Sequence, residues 1–477
     1  MQANDQISIP DSSNKSINRT FWRYAIPSVA AMLVNSFYQI IDGIFIGQYV
    51  GHEGLAGINM AWPIIYVFAG IGLMIGMGSG SLISRSRGEE QVSSSVKSDA
   101  LTHSNKTNRT LTTAIFLILV FGILGSILLS ISGTHLLQIQ GGIDNTLLLG
   151  QQYIGPFIWT LVFTILASAM PILIRNDESP NIATGLMIMG ACINILLDYL
   201  FIVRMDMALH GAGVATVAAQ VTVSLCGLAY FLSSTTRLKV GNLTLKLSAM
   251  RFDSRLAKQI LLLGASSFVM YLYTSFVFAL HNRLFMEYGS PVTVGAFAIV
   301  GYLMVLYYFI AEGLGEGMQP PVSYFFGAKQ TENIKKVLVL ATKVTITAGI
   351  VWLLILNLFP SNIIGMFNSE DTALIEEATT GIRLHLFAMF LDGYLVLAIM
   401  FFMAVNQGKK ALGISIGNML IQLPFLYFLP PLFGVTGVWL AMPISNIVMF
   451  LIVAPMVWHH LKTDKDREVN QLLGSRA

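Results

Sequence analysis

The chain has 477 residues, of which 55 % are apolar and only 11 % charged, and its formal net charge is +3. Soluble domains carry roughly a quarter charged residues, so the composition excludes a water-soluble fold and points to an all-α integral membrane protein. No soluble domain of useful size and no nucleic-acid partner are expected.

The first twenty residues are polar and rich in Asn and Ser, with no short apolar core ahead of a small-residue cleavage site, so the first span is expected to serve as the insertion signal. Beyond them, apolar stretches of about 20 residues recur, long enough to cross a core roughly 30 Å thick at about 1.5 Å per residue. They predict twelve spans, at 22–49, 59–83, 111–132, 151–174, 184–203, 211–233, 259–287, 295–320, 338–359, 377–404, 412–432 and 437–459. Lys and Arg then fall on one side. The N-terminus, the loops at 84–110 and 234–258, the later connections with Arg175, Lys329, Lys335, Lys336, Lys409 and Lys410, and the C-terminal tail hold all but Arg204, Arg283, Lys343 and Arg383. Because such residues stay in the cytoplasm, both termini are placed inside.

The basic connection at 234–258 lies at the midpoint and suggests a duplication. It divides the chain into a tail (1–20), an N-lobe (21–233), the inter-lobe loop, a C-lobe (259–459) and a second tail (460–477). Gly76-Met-Gly-Ser-Gly80 through Gly88 is similar to Gly313-Leu-Gly-Glu-Gly317 through Gly327, and Leu55-Ala-Gly57 to Val294-Gly-Ala296. Gly211-Ala-Gly-Val-Ala-Thr216 aligns with Val435-Thr-Gly-Val-Trp-Leu440, which sets Asn194 opposite Asn418. Two pseudo-symmetric six-helix lobes in parallel orientation follow.

Ionisable residues inside spans are costly and point to function. Asp42 in span one and Asp198 in span five, with Thr216 and Gln220 in span six, fall at comparable depth toward the outer side, so they are expected to share a cavity. Asn194 and Asp198 are one turn apart and occupy one helix face. A carboxyl taken out of water beside a second one can load and release protons at physiological pH; carboxylate, amide and hydroxyl oxygens also suit Na⁺. The repeat sets Asp198 opposite Gln422 and Asp42 roughly opposite Asn282, so the second half does not copy the acids. Packing roles are the plain alternative for each. Asp392 in span ten reads either as a second cation or substrate counter-ion site or as a residue paired across the bundle. Glu312 and Glu316 lie nearer a span end in a Gly-rich setting and are left open. Pro27, with Gly43, Gly47 and Gly51 further along, gives span one places to bend, either as a static kink or as a gate.

Gly76-Met-Gly-Ser-Gly80 lacks the strand context and Gly-Lys-Ser/Thr ending of a phosphate loop and reads as close helix packing. The eight histidines are scattered and suggest no metal site. Cys192 and Cys226 lie in apolar segments and read as packing residues. Tyr38, Trp62, Tyr66 and Trp159 would suit a cavity for greasy cations, although each singly reads as packing.

Together, Ala25-Ile-Pro27 with Ile41-Asp-Gly-Ile-Phe-Ile-Gly47, Gly78-Ser-Gly80 through Arg85 and Gly88, Asn194 to Asp198, and Gly211 to Thr216 resemble the multidrug and toxic compound extrusion (MATE) transporters over essentially the whole chain, most closely the DinF-like branch. The resemblance implies two six-helix lobes around a V-shaped cleft and alternating access. It implies Asp42 and Asp198 as coupling carboxylates, with Asn194 and Thr216 as supporting ligands. Tyr38, Gln220, Asp392, Asn282 and Asn418 are the candidate substrate contacts. NorM-like members carry an acid within span seven, where this chain has Tyr271-Leu-Tyr-Thr-Ser-Phe-Val-Phe278, so a sodium site in the C-lobe looks incomplete. The expectation is a monomeric, H⁺-coupled exporter of organic cations or amphiphiles in the bacterial inner membrane, surrounded by lipid and using no cofactor. Na⁺ coupling is the alternative. A flippase for a lipid-linked precursor would need a cation-lined cleft, to which Arg283 and Arg383 could contribute, and a passive channel would need a polar stripe through both leaflets.

Overall fold

The computed structural model describes residues 14–93, 100–140, 144–233, 243, 245, 252–365 and 371–474. Most of the expected inter-lobe loop, including Arg237, Lys239, Lys246 and Arg251, lies outside the described residues, as do residues 1–13, Lys97 and Arg476. The N-lobe holds α1 (Asn14–Tyr49), α2 (His52–Ser93), α3 (Ala100–Ile139), α4 (Asp144–Ile158), α5 (Leu161–Asn176), α6 (Pro180–Asp198), a π-helical turn (Tyr199–Arg204) and α7 (Ala208–Leu232). The C-lobe holds α8 (Ser254–Tyr288), α9 (Pro291–Gly327), α10 (Thr331–Leu358), α11 (Pro360–Gly365) and α12 (Thr372–His385). It continues with α13 (Met389–Ala404), α14 (Gly408–Leu420), α15 (Gln422–Phe433) and α16 (Val435–Gly474).

Local chemistry sets several boundaries. Asp253 accepts from the backbone N–H groups of Arg255 and Leu256 to start α8, and Asp371 does the same from Leu374 for α12. Pro180 and Pro291 open α6 and α9, where a missing N–H costs nothing.

Among the described residues, ten helices are long and apolar enough to cross a bilayer alone, and the count reaches twelve when each of two bent pairs is taken as one span: α4 with α5 at 70° and α12 with α13 at 50°. These bends left no trace in the apolar run lengths. They occupy the fourth position of each lobe, as duplication requires. In the N-lobe, Pro156 lies in the last turn of α4, ahead of the break. In the C-lobe, the break follows His385, whose Nδ1 is 2.9 Å from the Trp439 carbonyl oxygen. A second irregularity recurs in the fifth span, where α6 gives way to the π turn after Asp198 and α14 breaks just before Gln422.

The lobes meet through α1, α2, α8 and α9, from mid-span toward the end that carries both termini. Glycines let backbones touch there: a Cβ on Gly78 would fall on the Ile260 carbonyl oxygen, and one on Gly264 on that of Met74. Gly88 abuts the Tyr324 carbonyl just as Gly327 abuts that of Arg85, a reciprocal pair about the pseudo-two-fold axis. Gly313 faces Val29 and Gly317 faces Ala25 in the same way. These contacts correct the repeat register. Gly88 with Gly327 makes Gly78 the counterpart of Gly317, two residues away from the motif alignment. Val29 with Gly264 carries Asp42 to Val277, not Asn282.

On that same end of the N-lobe, the Asp177 carboxylate receives Arg87, the Tyr230 hydroxyl at 2.7 Å and the Leu243 backbone N–H at 3.2 Å. The described part of the inter-lobe connection is thereby tied down, with Leu243 and Leu245 buried.

Candidate cation-exchange site and central cavity

Asp42 lies about two turns from the far end of α1, and Asp198 is the last residue of α6. Both are buried, at 3 % and 0 % exposure, and the two carboxyls are near enough to interact when charged. Neither Asp198 oxygen, nor Oδ1 of Asp42, has a hydrogen-bond partner among the described residues. Buried polar atoms are nearly always paired, so three orphaned carboxyl oxygens on two acids within electrostatic reach of each other make a place where a proton or a small cation is worth binding. Asn194 Nδ2 donates to Thr216 Oγ1 at 3.3 Å, while the Asn194 Oδ1 is unpartnered. Tyr153 reaches the Thr216 hydroxyl and lies near Asp42. Tyr38 lies within electrostatic reach of both aspartates.

A cavity of about 170 Å³ opens beside this cluster. Its wall includes Asn35, Tyr38, Asn194, Thr216, Gln220 and Tyr271, and at one end Arg175 and Glu316. The two aspartates are not in the wall. They border it through Tyr38 and Asn194, each one turn away along the same helix, so the shared cavity expected from sequence reaches them only through those neighbours. Gln220 is held by the Thr164 hydroxyl, which donates to its Oε1 at 2.7 Å. Pro27 stands inside a continuous α1. Its carbonyl accepts the Thr184 hydroxyl at 2.8 Å, which fastens α1 to α6 at the point where a bend was expected.

Asp392 and Asn418 come together in the C-lobe, apart from the central cavity. With Tyr273, Tyr308 and Ser415 they surround a space of about 10 Å³, large enough for one water. Gln422 donates to the Tyr273 hydroxyl. In this conformation the space admits a water but no organic ligand, so Asp392 and Asn418, expected as substrate contacts, stand together apart from the central cavity. Asn282 is exposed on α8 and borders neither space; its neighbour His281 is the buried residue. Arg283 and Arg383 are likewise exposed and line neither. Trp159 is 84 % exposed and belongs to the outer surface, not to a cavity.

Two features escaped the sequence. Arg175, counted with the loop cations, is 1 % exposed in the last turn of α5, where its Nη1 meets Glu316 Oε2 at 2.6 Å. Opposite charges ending one apolar run and interrupting another were the available signal. In the C-lobe, His281 and His385 stand 5.4 Å apart between centroids, walled by Phe285, Phe297 and Trp439. Among the described residues no group of three or more His, Cys, Asp or Glu could hold a metal ion.

The family model described as MatE matches residues 27–200 and 266–428. The multidrug export protein MepA of Staphylococcus saprophyticus is 25 % identical over 445 residues, covering 93 % of this chain and 94 % of that protein. MepA of Staphylococcus aureus is 23 % identical over 422 residues, covering 88 % and 89 %. Among solved structures, an outward-facing multidrug resistance MATE family transporter superposes with a TM-score of 0.85 at 19 % identity, covering 94 % of this chain and 97 % of the other. A transporter of the same superfamily from Pyrococcus furiosus gives 0.84 at 20 %, with the same coverage. With both repeats matched by the family model and the two-lobed fold shared end to end, the chain belongs to the MATE family of membrane transporters.

Proposed function

We propose that this protein is a secondary active antiporter of the bacterial plasma membrane that exports amphipathic organic cations in exchange for inward-moving protons. The supporting observation is the pair of buried aspartates with unpartnered oxygens at the edge of a cavity that polar and aromatic side chains line. The enclosed volume is below the roughly 300 Å³ at which drug-sized sites begin, so it receives one end of a cargo while the rest lies in the cleft between the lobes. Protons arriving from outside neutralise Asp42 and Asp198, weaken the hold on a cationic cargo and let it leave; when the lobes reopen inward the protons are lost and the acids attract the next cargo. Differential affinity of the two states drives the cycle. Asn194 and Thr216 support the acids. Pro27 gives α1 a weak point once the Thr184 bond lets go.

Both termini face the cytoplasm in this reading, so the lobe contacts close the inner end and the cleft opens outward. The protein works as a monomer among lipids and needs no cofactor. A flippase is disfavoured because, among the described residues, Arg175 is the single Lys or Arg in the wall of the central cavity, too few to hold a polyanionic headgroup. Sodium is the competing ion, since Asp42, Asp198, Asn194 and Thr216 together present a set of hard oxygens.

Inverted vesicles holding the protein and given a fluorescent organic cation separate the two ions. Proton coupling predicts ATP-independent dye accumulation that collapses with the pH gradient and is indifferent to replacing sodium by potassium. Accumulation that follows sodium and survives loss of the pH gradient assigns the site to Na⁺, and no accumulation under either gradient removes the antiporter reading.

A further inference from the structure

Arg175 of the N-lobe and Glu316 of the C-lobe form a buried ion pair across the two lobes, at 1 % and 2 % side-chain exposure. Only Nη1 of the guanidinium is used. Nε and Nη2 have no partner among the described residues, and both residues stand in the wall of the central cavity. Glu312, one turn before Glu316, is also buried and within electrostatic range of Arg175. One carboxylate therefore contacts a guanidinium that keeps two idle nitrogens, a second carboxyl lies within electrostatic range, and Tyr271 lines the same cavity. A planar guanidinium fork is suited to a carboxylate held by two parallel bonds, and leaving buried donors unmade is costly.

Alternating access pulls this pair apart, because its members belong to different lobes. Separating a buried pair strands two uncompensated charges. A ligand that brings one carboxylate and one cation would compensate both.

We propose that Arg175 and Glu316 form a subsite for zwitterionic cargo: the ligand's carboxylate takes the place of Glu316 on the guanidinium, its cation is held by Glu316 and Glu312, and the exchange unlatches the lobes. This rests on reading the cavity as the cargo site.

The test uses tetramethylrhodamine as the free acid, which carries a carboxylate and a cationic ring system, and its methyl ester, which is a cation only. Binding of each to the full-length protein in lipid nanodiscs is followed by fluorescence polarisation, and the quantity read is the ratio of free-acid to ester affinity. Arg175→Gln is expected to lower that ratio roughly tenfold, the loss of one charge-assisted contact. Glu316→Gln, which keeps the arginine and removes its competitor, is expected to raise it, a direction that misfolding does not mimic. A ratio that Glu316→Gln leaves unchanged or lowers overturns the proposal, and that variant decides alone if Arg175→Gln does not accumulate. Failure of the wild-type protein to bind the ester counts instead against the cavity as a cargo site.

Discussion

Asp42→Asn is expected to abolish proton-gradient-driven efflux while leaving the amount of protein in the membrane unchanged. The substitution keeps the volume and hydrogen-bonding capacity of the side chain but removes the charge that alternates. Without that alternation, cargo affinity no longer differs between the two faces, and a ligand without differential affinity drives nothing. The loss is expected to be at least about tenfold in initial rate, the effect of about 1.4 kcal/mol of lost coupling. Asp198→Asn should behave alike because the two carboxyls interact. Normal dye efflux by Asp42→Asn, measured at matched expression, defeats the assignment of Asp42 to coupling.

Gly78→Val is expected to damage stability more than any change at the acids. The Ile260 carbonyl oxygen occupies the position of the missing Cβ, and a backbone oxygen cannot swing aside as a side chain can. Overpacking of a tight contact costs about 1–3 kcal/mol, and here the backbones of two lobes must part to absorb it. Gly155→Val serves as the control, since nothing lies within 4 Å of a Cβ there. Thermal unfolding followed by size-exclusion fluorescence should show a midpoint lowered by several degrees for Gly78→Val only, taking about 2–4 °C per kcal/mol. Equal midpoints would mean that the lobe contact yields easily.

The spans, the duplication and the family were legible because each rests on local signals: apolar run length, cation placement and short repeated motifs. The two bends were not. A hydropathy window sums residues without regard to direction, so Pro156 and the break after His385 left α4–α5 and α12–α13 reading as straight spans. Arg175 was misplaced for a different reason. It follows an apolar run and so resembles any loop cation, while the residue that keeps it buried, Glu316, is 141 positions away. Asn282 shows the limit of pairing two halves by motif alone. Glycine-rich stretches tolerate a slip of two residues, and a slip or a short insertion places a polar residue on the wrong helix face; the reciprocal backbone contacts fix the register instead. Asp42, Asp198, Asn194 and Thr216 could be singled out as candidates because carboxyl, amide and hydroxyl groups stand out in apolar helices, but the orphaned oxygens and the one-turn separation of the acids from the cavity wall depend on how α1, α6 and α7 pack.

If the acids trade protons for cargo, adding a saturating organic cation to the purified protein in weakly buffered solution near neutral pH must release protons, about one for each cargo bound, and the release must vanish when Asp42 and Asp198 are both replaced by Asn. A pH-sensitive dye in a stopped-flow cell reads this without gradients or vesicles. Cargo that binds with no proton appearing, or a release undiminished in the double variant, contradicts the exchange.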